Sequence, residues 1–475
     1  MKRTKIVATI GPASRDKDVL RQLIQSGVNV ARLNFSHGTH EEHAEVIATI
    51  RELMAELKVA IAILGDLQGP RIRTIVAEPL TADKGDTIVV SDISYHTPGD
   101  FQADGDKTLL LDVPQIINDI ASGDSILIED GRIKLMVEEQ AGDRLVTKVV
   151  DGGLIQKHKG VNIPDSDLHL PALTEKDERD LQFLLEQNVD YIALSFVGSA
   201  DDVHHLRGRM QEITGTEEGL PKILVKIERK EAIKNLDEII EATNAVMVAR
   251  GDLGIEEEGA RVTVLQKLIV KKSIEALKPV IVATHMLDSM IYNPRPTRAE
   301  ISDVTNAVLD QADAVMLSGE TAAGRYPIET VMTMRDIIQH AEGVNIEHAP
   351  YIKKAADGRF TTLVKSASEM AREDNIKAIV LGSYSGYAAR LVAHFRTNKP
   401  IYVGTNNSKT FTQLALVWGV TSYCSTEDEI SEVFKHMVGR CLETDRLSTG
   451  DDVIAVFGRG YHATEQMRMV GVMTV

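Results

Sequence analysis

Charged side chains cluster just after several short apolar runs, and their types suit an anion held beside a divalent cation. Lys226 and Glu228 lie two residues apart in one run, so both side chains face the same side of an extended segment. Asp252 follows the next run. Two carboxylates on neighbouring strands are hard oxygen ligands that suit Mg²⁺, which keeps its other positions for water and substrate. The pattern predicts a metal site at Glu228 and Asp252.

Basic and glycine residues near these carboxylates predict an anion site. The turn 251–254 contains two glycines, which let backbone N–H groups approach an anion closely. Arg32, Arg73 and Lys226 lie within or just after apolar runs. The net charge of −17 opposes nucleic-acid and membrane partners, so basic residues gathered in a cleft are informative. An anion site beside a divalent cation is what phosphoryl transfer requires.

Eight apolar runs rich in Val, Ile, Ala and Leu place these residues. Runs without polar alternation are typical of strands buried on both faces, and helical patterns separate them here. Repeated strand–helix units indicate a parallel sheet, and eight strands close a TIM (β/α)8 barrel, whose sites lie at the carboxyl ends of the strands. The predicted strands are 5–10, 29–35, 60–67, 191–197, 222–228, 245–253, 279–286 and 314–320.

Two further units interrupt and follow the barrel. In 70–170, turn dipeptides such as Gly85-Asp86 separate short apolar runs, which favours a small β-barrel domain inserted over the active site as a lid. After about Val344, alternating helical and strand patterns, including a helix over 411–418, predict a C-terminal α/β domain. We expect an α/β protein with a discontinuous barrel (1–69 and 171–344), the lid (70–170) and the C-terminal domain (345–475).

Several classes of protein are disfavoured by the sequence. Two cysteines, Cys424 and Cys441, indicate a reduced compartment. The apolar run 6–10 is too short for a signal sequence or a membrane span, so we expect a cytoplasmic protein. The sequence has no Gly-x-x-x-x-Gly-Lys-Ser/Thr loop and no dinucleotide fingerprint, so a nucleotide would be held in another way.

Four stretches in this order, 5–12, 34–38, 247–254 and 283–300, resemble the pyruvate kinase family. The resemblance runs from Arg3 to the C-terminus. It implies transfer of the phosphoryl group of phosphoenolpyruvate to ADP, giving pyruvate and ATP at the end of glycolysis. It also implies Mg²⁺ or Mn²⁺ as cofactor and a homotetramer.

The resemblance also implies a role for each site residue. Lys226 stabilises the transferring phosphoryl group and the enolate, while Glu228 and Asp252 hold the metal. The N–H groups of Gly251 and Asp252, with Thr284, bind the substrate carboxylate. The phosphate and nucleotide contacts that it implies are Arg32, Arg73, Asn34, His37 and the lid residue Lys159.

The segment after the seventh predicted strand carries one departure from the family. The resemblance implies that a water ordered near Thr284 and Ser318 protonates the enolate. His285 stands where the family usually has Gln. The substitution is neutral in one interpretation and creates a pH-sensitive site in the other, because histidine titrates near neutrality.

A second departure concerns the monovalent cation. The family's cation region matches Asn34, Ser36, Asp66 and the Leu67 carbonyl. Downstream of this region, members that need K⁺ have a sequence like Gly-Pro-Glu-Ile-Arg, and members that do not need it have one like Gly-Pro-Lys-Ile-Arg. This chain has Arg71 in place of the Glu or Lys. A guanidinium stays charged when buried, so Arg71 is a candidate internal cation and we expect no K⁺ requirement.

The C-terminal domain resembles the family's effector domain in part. Ser383, Ser385 and Gly386 resemble its phosphate-binding loop, and Arg459 is a candidate ligand from a later loop. Neither loop closely follows the sequence of the family members that bind fructose bisphosphate. We therefore expect a sugar phosphate or AMP as effector.

Two other functions stay open. A different Mg²⁺-dependent barrel enzyme, such as a lyase or aldolase acting on an oxo-acid or enolate, would share the metal pair without needing the strip 34–37. A catalytically silent metabolite sensor would keep the fold alone. Intact Lys226, Glu228 and Asp252 argue against the sensor, because polar groups near a buried site are costly to keep without use.

Overall fold

Eight parallel strands close into a barrel in the computed structural model, which describes residues 2–97, 107–168, 170–344, 358–457 and 468–475. Each strand pairs with the next along the chain, and the eighth pairs back with the first. The predicted fold class is confirmed. The strands are Lys5–Thr9, Val30–Asn34, Ala62–Asp66, Tyr191–Leu194, Lys222–Ile227, Ala245–Ala249, Val280–Ala283 and Ala314–Leu317.

Helices connect the barrel strands, and several begin at a capping box. The side chains of Thr39, Thr174 and Thr297 each accept a hydrogen bond from the backbone N–H of an acidic residue three positions on, whose carboxylate in turn accepts one from the threonine N–H. These reciprocal bonds fix where the chain leaves a strand loop and enters a helix. The helices of this part of the chain are Lys17–Ser26, His40–Leu57, Glu175–Glu186, Ala200–Thr214, Lys230–Lys234, Leu236–Ala242, Arg250–Glu256, Gly259–Glu275, Arg298–Leu309, Gly319–Ala322 and Pro327–Glu342, with a 3₁₀ turn at Asp288–Ile291.

All eight barrel strands end before their predicted limits, and the cause is visible for strands six and seven. Strand six ends at Ala249, because a helix begins at Arg250. Strand seven ends at Ala283, because Thr284 and His285 take φ angles of 69° and 53°, which no strand accommodates. The residues beyond these ends form the turns that hold polar side chains.

The C-terminal domain closes the amino end of the barrel. Ala415 and Leu416 pack into the same apolar cluster as Leu64 and Leu224 of the barrel interior. The Tyr191 hydroxyl donates to the Gln413 carbonyl at 2.8 Å. This end is therefore a packed core, and the polar side chains lie at the other end.

The inserted segment forms a second closed barrel of seven strands, with one short two-stranded sheet beside it. Its core consists of aliphatic side chains such as Ile88, Leu109 and Ile126. The strands are Ile72–Ile75, Leu80–Ala82, Thr87–Asp92, Thr108–Leu111, Ser125–Ile128, Ile133–Gln140, Leu145–Asp151, Gly153–Ile155 and Gly160–Asn162, with a 3₁₀ turn at Ile116–Asp119. The exact domain limits at 69/70, 170/171 and 344/345 stay a prediction.

The C-terminal domain is a five-stranded sheet flanked by helices. In spatial order its strands are Val420–Cys424, Ile401–Thr405, Ile376–Gly382, Asp452–Phe457 and Met469–Thr474, of which the last is antiparallel to its neighbour. Its helices are Gly358–Met370, Tyr387–His394, Ser408–Gln413 and Ile430–Glu443. Across the part of the chain that the structure describes, no helix has the length and apolarity to cross a membrane.

The predicted helix over 411–418 is wrong. The helix begins at Ser408, because the Asn407 side chain accepts from the Thr410 N–H at 3.0 Å. It gives way to the 3₁₀ turn Leu414–Leu416, of which Ala415 and Leu416 enter the base of the barrel. Burial against another domain therefore decided the conformation of this segment.

Candidate active site

A buried cluster of opposite charges lies at the carboxyl end of the barrel. Arg32 Nε donates to Asp66 Oδ2 at 2.6 Å. Lys226 Nζ lies 2.8 Å from Glu228 Oε1 and 3.6 Å from Asp66 Oδ1. Both carboxylates are 1% exposed. We call Arg32, Asp66, Lys226 and Glu228 the charge cluster; strands two, three and five supply its members.

The pKa shifts of Lys226 and Asp66 favour the ionised form of each side chain. Burial works against the charge on Lys226, yet the carboxylates of Asp66 and Glu228 raise its pKa. Burial likewise works against ionised Asp66, yet Lys226 and Arg32 lower the pKa of that carboxyl. Charged groups with short, complementary contacts keep their charge even where water is excluded.

Glu228 is different, because its surroundings disfavour a negative charge. Burial raises the pKa of Glu228 to about 7; the neighbouring carboxylate of Asp252 adds to the rise, and Lys226 opposes it. The Glu228 carboxylate is thus incompletely neutralised by the protein. A positive charge brought into the site would stabilise its ionised form.

Glu228 and Asp252 fit a divalent cation. Glu228 Oε2 accepts from the Phe196 N–H at 2.7 Å, while the buried Oε1 forms the ion pair with Lys226 Nζ at 2.8 Å. A carboxylate oxygen keeps a second lone pair, with which it can bind a hard cation. The described ranges contain no group of three or more His, Cys, Asp and Glu side chains placed for a metal. The negative charge of Asp252 raises the pKa of Glu228, so the two side chains lie close enough to interact.

The turns after strands six and seven contact each other through Gly251 and Thr284. The Gly251 N–H donates to Thr284 Oγ1 at 2.8 Å, and that hydroxyl donates to the Ala283 carbonyl at 2.6 Å. Arg250 stabilises this contact between Gly251 and Thr284, because its NH2 donates to the Thr284 carbonyl at 2.6 Å. The positive φ of Thr284 is strained for a β-branched residue, and such strain concentrates at functional sites.

Two further predicted residues flank this turn. Ser318 Oγ is buried and has no hydrogen-bond partner among the described residues, although the Ser318 N–H donates to Glu320 Oε2 at 2.7 Å. A buried hydroxyl without a partner is a natural anchor for a water molecule. His285 is exposed.

The segment 34–37 after strand two is held by hydrogen bonds within the segment and to the helix that follows. The Ser36 N–H donates to Asn34 Oδ1 at 3.2 Å, and the His37 N–H donates to the Asn34 carbonyl at 3.2 Å. The His37 carbonyl lies 2.9 Å from His43 Nε2. These contacts hold the predicted nucleotide-side residues Asn34 and His37 in one tight turn.

Ser195 is a site residue that the sequence analysis missed. It follows strand four; its Oγ donates to the Leu67 carbonyl at 2.7 Å and accepts from Lys226 Nζ at 2.9 Å. It therefore links the lysine to the carbonyl that the family resemblance places in the cation region. The signal was available, because Ser195 ends a barrel strand just as Asp66 and Glu228 do.

The predicted lid residues make their polar side-chain contacts within the lid. Arg73 NH1 donates to the His158 carbonyl at 3.1 Å. Lys159 Nζ lies 2.6 Å from Glu129 Oε1. Arg71 NH2 lies 3.5 Å from Asp130 Oδ1. The structure thus does not pair these three cations with the charge cluster.

The predicted effector loop joins strand Ile376–Gly382 to helix Tyr387–His394. Gly386 takes a φ of 72°, and the Tyr387 N–H donates weakly to Ser385 Oγ at 3.5 Å. Ser383 is buried. Arg459 lies outside the described residues.

A (β/α)8 barrel that carries an inserted β-barrel, a C-terminal α/β domain and a buried charge cluster defines a class of multidomain barrel enzymes. Two protein-family models match the chain. One described as "Pyruvate kinase, barrel domain" matches residues 1–331, and one described as "Pyruvate kinase, alpha/beta domain" matches residues 361–473. The chain belongs to the pyruvate kinase family.

Named relatives agree over nearly the whole chain. The pyruvate kinase of Geobacillus stearothermophilus is 42% identical over 472 residues, which cover 96% of this chain and 78% of that protein. The pyruvate kinase of Clostridium perfringens is 41% identical, with 96% of both chains covered. A crystal structure of a pyruvate kinase from Cryptosporidium parvum superposes with a TM-score of 0.91 at 34% identity, covering 100% of this chain and 96% of that one.

Proposed function

We propose that this enzyme transfers the phosphoryl group of phosphoenolpyruvate to ADP, giving pyruvate and ATP at the last step of glycolysis. The observation that carries the proposal is the buried charge cluster. It presents two cations, Arg32 and Lys226, beside a carboxylate, Glu228, that lacks full neutralisation. Such a site suits an anionic substrate that arrives with a divalent cation.

Lys226 and Arg32 act on the phosphoryl group and on the enolate oxygen. The ammonium is held between Asp66, Glu228 and Ser195, so its position is fixed before substrate binds. A preorganised positive charge stabilises developing negative charge without reorganisation during the reaction. Mg²⁺ or Mn²⁺ on Glu228 and Asp252 supplies further charge neutralisation to the substrate oxygens when bound.

The turn of Gly251 and Thr284 orients the other end of the substrate. We assign the substrate carboxylate to the Gly251 and Asp252 N–H groups, with the Thr284 hydroxyl turning from the Ala283 carbonyl to donate to it. Binding then exchanges two hydrogen bonds, from the Gly251 N–H to Thr284 Oγ1 and from the Thr284 hydroxyl to the Ala283 carbonyl, for charge-assisted ones, which are stronger. The unpartnered Ser318 hydroxyl, together with Thr284, would hold the water that protonates the enolate.

The nucleotide enters between the barrel and the lid. Asn34 and His37 lie in the ordered strip of the barrel, while Arg73 and Lys159 approach from the lid as it closes. For that, Lys159 exchanges Glu129 for a nucleotide phosphate; the pair is partly exposed, so breaking it costs little. The lid thereby completes the site only around a bound nucleotide.

The remaining assignments rest on the family resemblance and on residue chemistry. Arg71 replaces the monovalent cation near Asn34, Ser36, Asp66 and the Leu67 carbonyl, and its exposed pair with Asp130 leaves it free to do so. A sugar phosphate or AMP binds at Ser383, Ser385 and Gly386, with Arg459. The enzyme is a cytoplasmic homotetramer.

Pyruvate formation from phosphoenolpyruvate, ADP and Mg²⁺ tests the proposed reaction. Lys226→Met keeps the apolar stem and removes the charge, and Lys17→Met is the control, because Lys17 is an exposed lysine paired with Glu52. We expect turnover by the wild type and the control and loss of turnover in Lys226→Met. Pyruvate formation that does not require ADP would favour a lyase, and no reaction on any oxo-acid would favour a silent sensor.

A further inference from the structure

A small cavity lies at the amino end of the barrel, on the opposite side from the charge cluster. Helix Tyr387–His394 of the C-terminal domain covers it and contributes Arg390 and His394 to its lining. The barrel contributes Lys278, and Arg396 and Asp313 meet across the domain junction. Nothing in the proposed catalysis uses these side chains.

Positive charge in this cavity exceeds negative charge. Arg396 NH2 lies 2.7 Å from Asp313 Oδ2, so these two neutralise each other. Lys278 Nζ donates only to neutral carbonyls, those of Glu241 at 3.2 Å and Thr243. Arg390 has no ion pair with any described residue, and its NH1 donates to the Ser385 carbonyl at a long 3.4 Å.

Lys222 adds a further cation next to the cavity. It begins barrel strand five, and its Nζ makes neither a hydrogen bond nor an ion pair within the described ranges. Burial lowers the pKa of Lys222 to about 7, with the charges of Arg390 and Lys278 contributing. Burial also lowers the pKa of Lys278, again with a contribution from Arg390. The three side chains are thus close enough to repel one another.

Two buried polar atoms of the lining lack partners as well. His394 is 3% exposed; its Nδ1 contacts the Ile274 carbonyl at 2.8 Å, while Nε2 has no hydrogen-bond partner among the described residues. Arg396 Nε is unpartnered in the same sense. Unsatisfied buried groups beside uncompensated cations are costly unless a ligand satisfies them.

We propose that this cavity is a second anion site, which binds a phosphate group held by Lys222, Lys278 and Arg390. The ligand is inorganic phosphate or the phosphate end of a small phosphomonoester. The cavity is too small to enclose a whole organic ligand, so it takes the phosphate group and any sugar extends towards solvent past the partly exposed Arg390. Inorganic phosphate bound as HPO₄²⁻ donates a hydrogen bond from its protonated oxygen to His394 Nε2, and its two negative charges face the three cations; a phosphomonoester donates the same hydrogen bond as its monoanion.

The site also has a direct structural connection to the charge cluster. Lys222 and Lys226 lie four residues apart on strand Lys222–Ile227, with side chains on the same face. Phosphate bound between Lys222 and the C-terminal domain therefore contacts the strand that positions the catalytic Lys226. Binding itself is independent of phosphoryl transfer and is measurable without turnover.

Calorimetric titration of the full-length Lys226→Met protein with inorganic phosphate tests the proposal, because that background weakens phosphate binding at the active site. Added to it, Arg390→Met or Lys222→Met should weaken phosphate binding by roughly tenfold or more, since each removes one charge-assisted contact. Lys365→Met, which removes an exposed lysine of helix Gly358–Met370, should leave it unchanged. Equal binding by all of these proteins would overturn the proposal.

Two further arms complete the test. The first compares the affinities of ribose 5-phosphate and inorganic phosphate. If ribose 5-phosphate binds more tightly and loses this advantage in Arg390→Met, the ligand is a phosphomonoester. If the two affinities are equal, the ligand is free phosphate. In the wild type, phosphate should raise the thermal unfolding midpoint above that in chloride at matched ionic strength. This arm covers the case in which a variant fails to fold, and absence of the rise together with absence of heat on titration would refute the site.

Discussion

Replacing Glu228 by Gln should stabilise the metal-free protein while removing its response to Mg²⁺. In the unfolded chain the carboxyl titrates near its ordinary pKa of 4.5, whereas burial raises the pKa of Glu228 in the folded protein to about 7. Below 4.5 both states carry the proton and no energy is lost. Between pH 4.5 and about 7 the unfolded chain releases this proton while the folded protein keeps it, so stability falls across that range; above about 7 the folded protein bears the buried charge and the loss is complete. Glutamine resembles the protonated form at every pH.

The size of the effect follows from the difference between the two pKa values. At about 1.4 kcal/mol per pH unit, the difference between about 7 and 4.5 corresponds to roughly 3 kcal/mol at pH 8. For a domain of about 150–250 residues this is a rise in the thermal unfolding midpoint of roughly 6–12 °C. Near pH 5 the variant and the wild type should differ little.

Thermal unfolding in chelator between pH 5 and 8, with and without Mg²⁺, measures this. Asp66→Asn is the matched control, because Lys226 and Arg32 lower the pKa of Asp66 against the effect of burial, so its ionised form stabilises the fold at pH 8. The two substitutions should therefore have opposite signs in metal-free buffer. Mg²⁺ should raise the midpoint of the wild type and not that of Glu228→Gln. A Glu228→Gln protein less stable than the wild type at pH 8 without metal would refute the reasoning.

Three other substitutions probe separate parts of the enzyme. The wild type should be equally active in K⁺ and Na⁺ at fixed ionic strength, and Arg71→Glu should acquire K⁺ activation; strong K⁺ activation of the wild type would contradict the role of Arg71. Thr284→Val keeps the branched shape but removes the hydroxyl that contacts Gly251, so kcat/KM for phosphoenolpyruvate should fall by about 10–100-fold with KM for ADP unchanged. Arg396→Met leaves Asp313 buried without its partner, at a cost of about 3–5 kcal/mol, and the urea midpoint should fall; an unchanged midpoint would show that the pair contributes nothing.

The barrel and most of its site could be predicted because the relevant information is local. A strand buried on both faces reads as an apolar run, and the carboxyl end of each run marks where functional side chains gather. Lys226 and Glu228 share one such end, and Asp252 follows the neighbouring strand, so their proximity followed from strand order alone. Ser195 obeys the same rule and was missed because a single serine carries little chemical signal by itself.

The features that escaped prediction depend on contacts between distant parts of the chain. The segment 411–418 has a helical pattern, yet Leu416 packs inside the barrel and the helix ends early. The pairing of Lys159 with Glu129 depends on the shape of the lid. The proximity of Lys222 and Arg390 depends on how the C-terminal domain meets the barrel, which no local pattern encodes.

The decisive experiment follows the phosphorus atom by ³¹P NMR during reaction of phosphoenolpyruvate with ADP and Mg²⁺. The proposed function predicts that the phosphoenolpyruvate signal is replaced by the γ-phosphate of ATP, only when ADP is present. It also predicts a rate about 10²–10³-fold lower in Lys226→Met, as for loss of one preorganised charge at a transition state. Release of the phosphorus as inorganic phosphate, or an unchanged rate in Lys226→Met, would contradict phosphoryl transfer by this charge cluster.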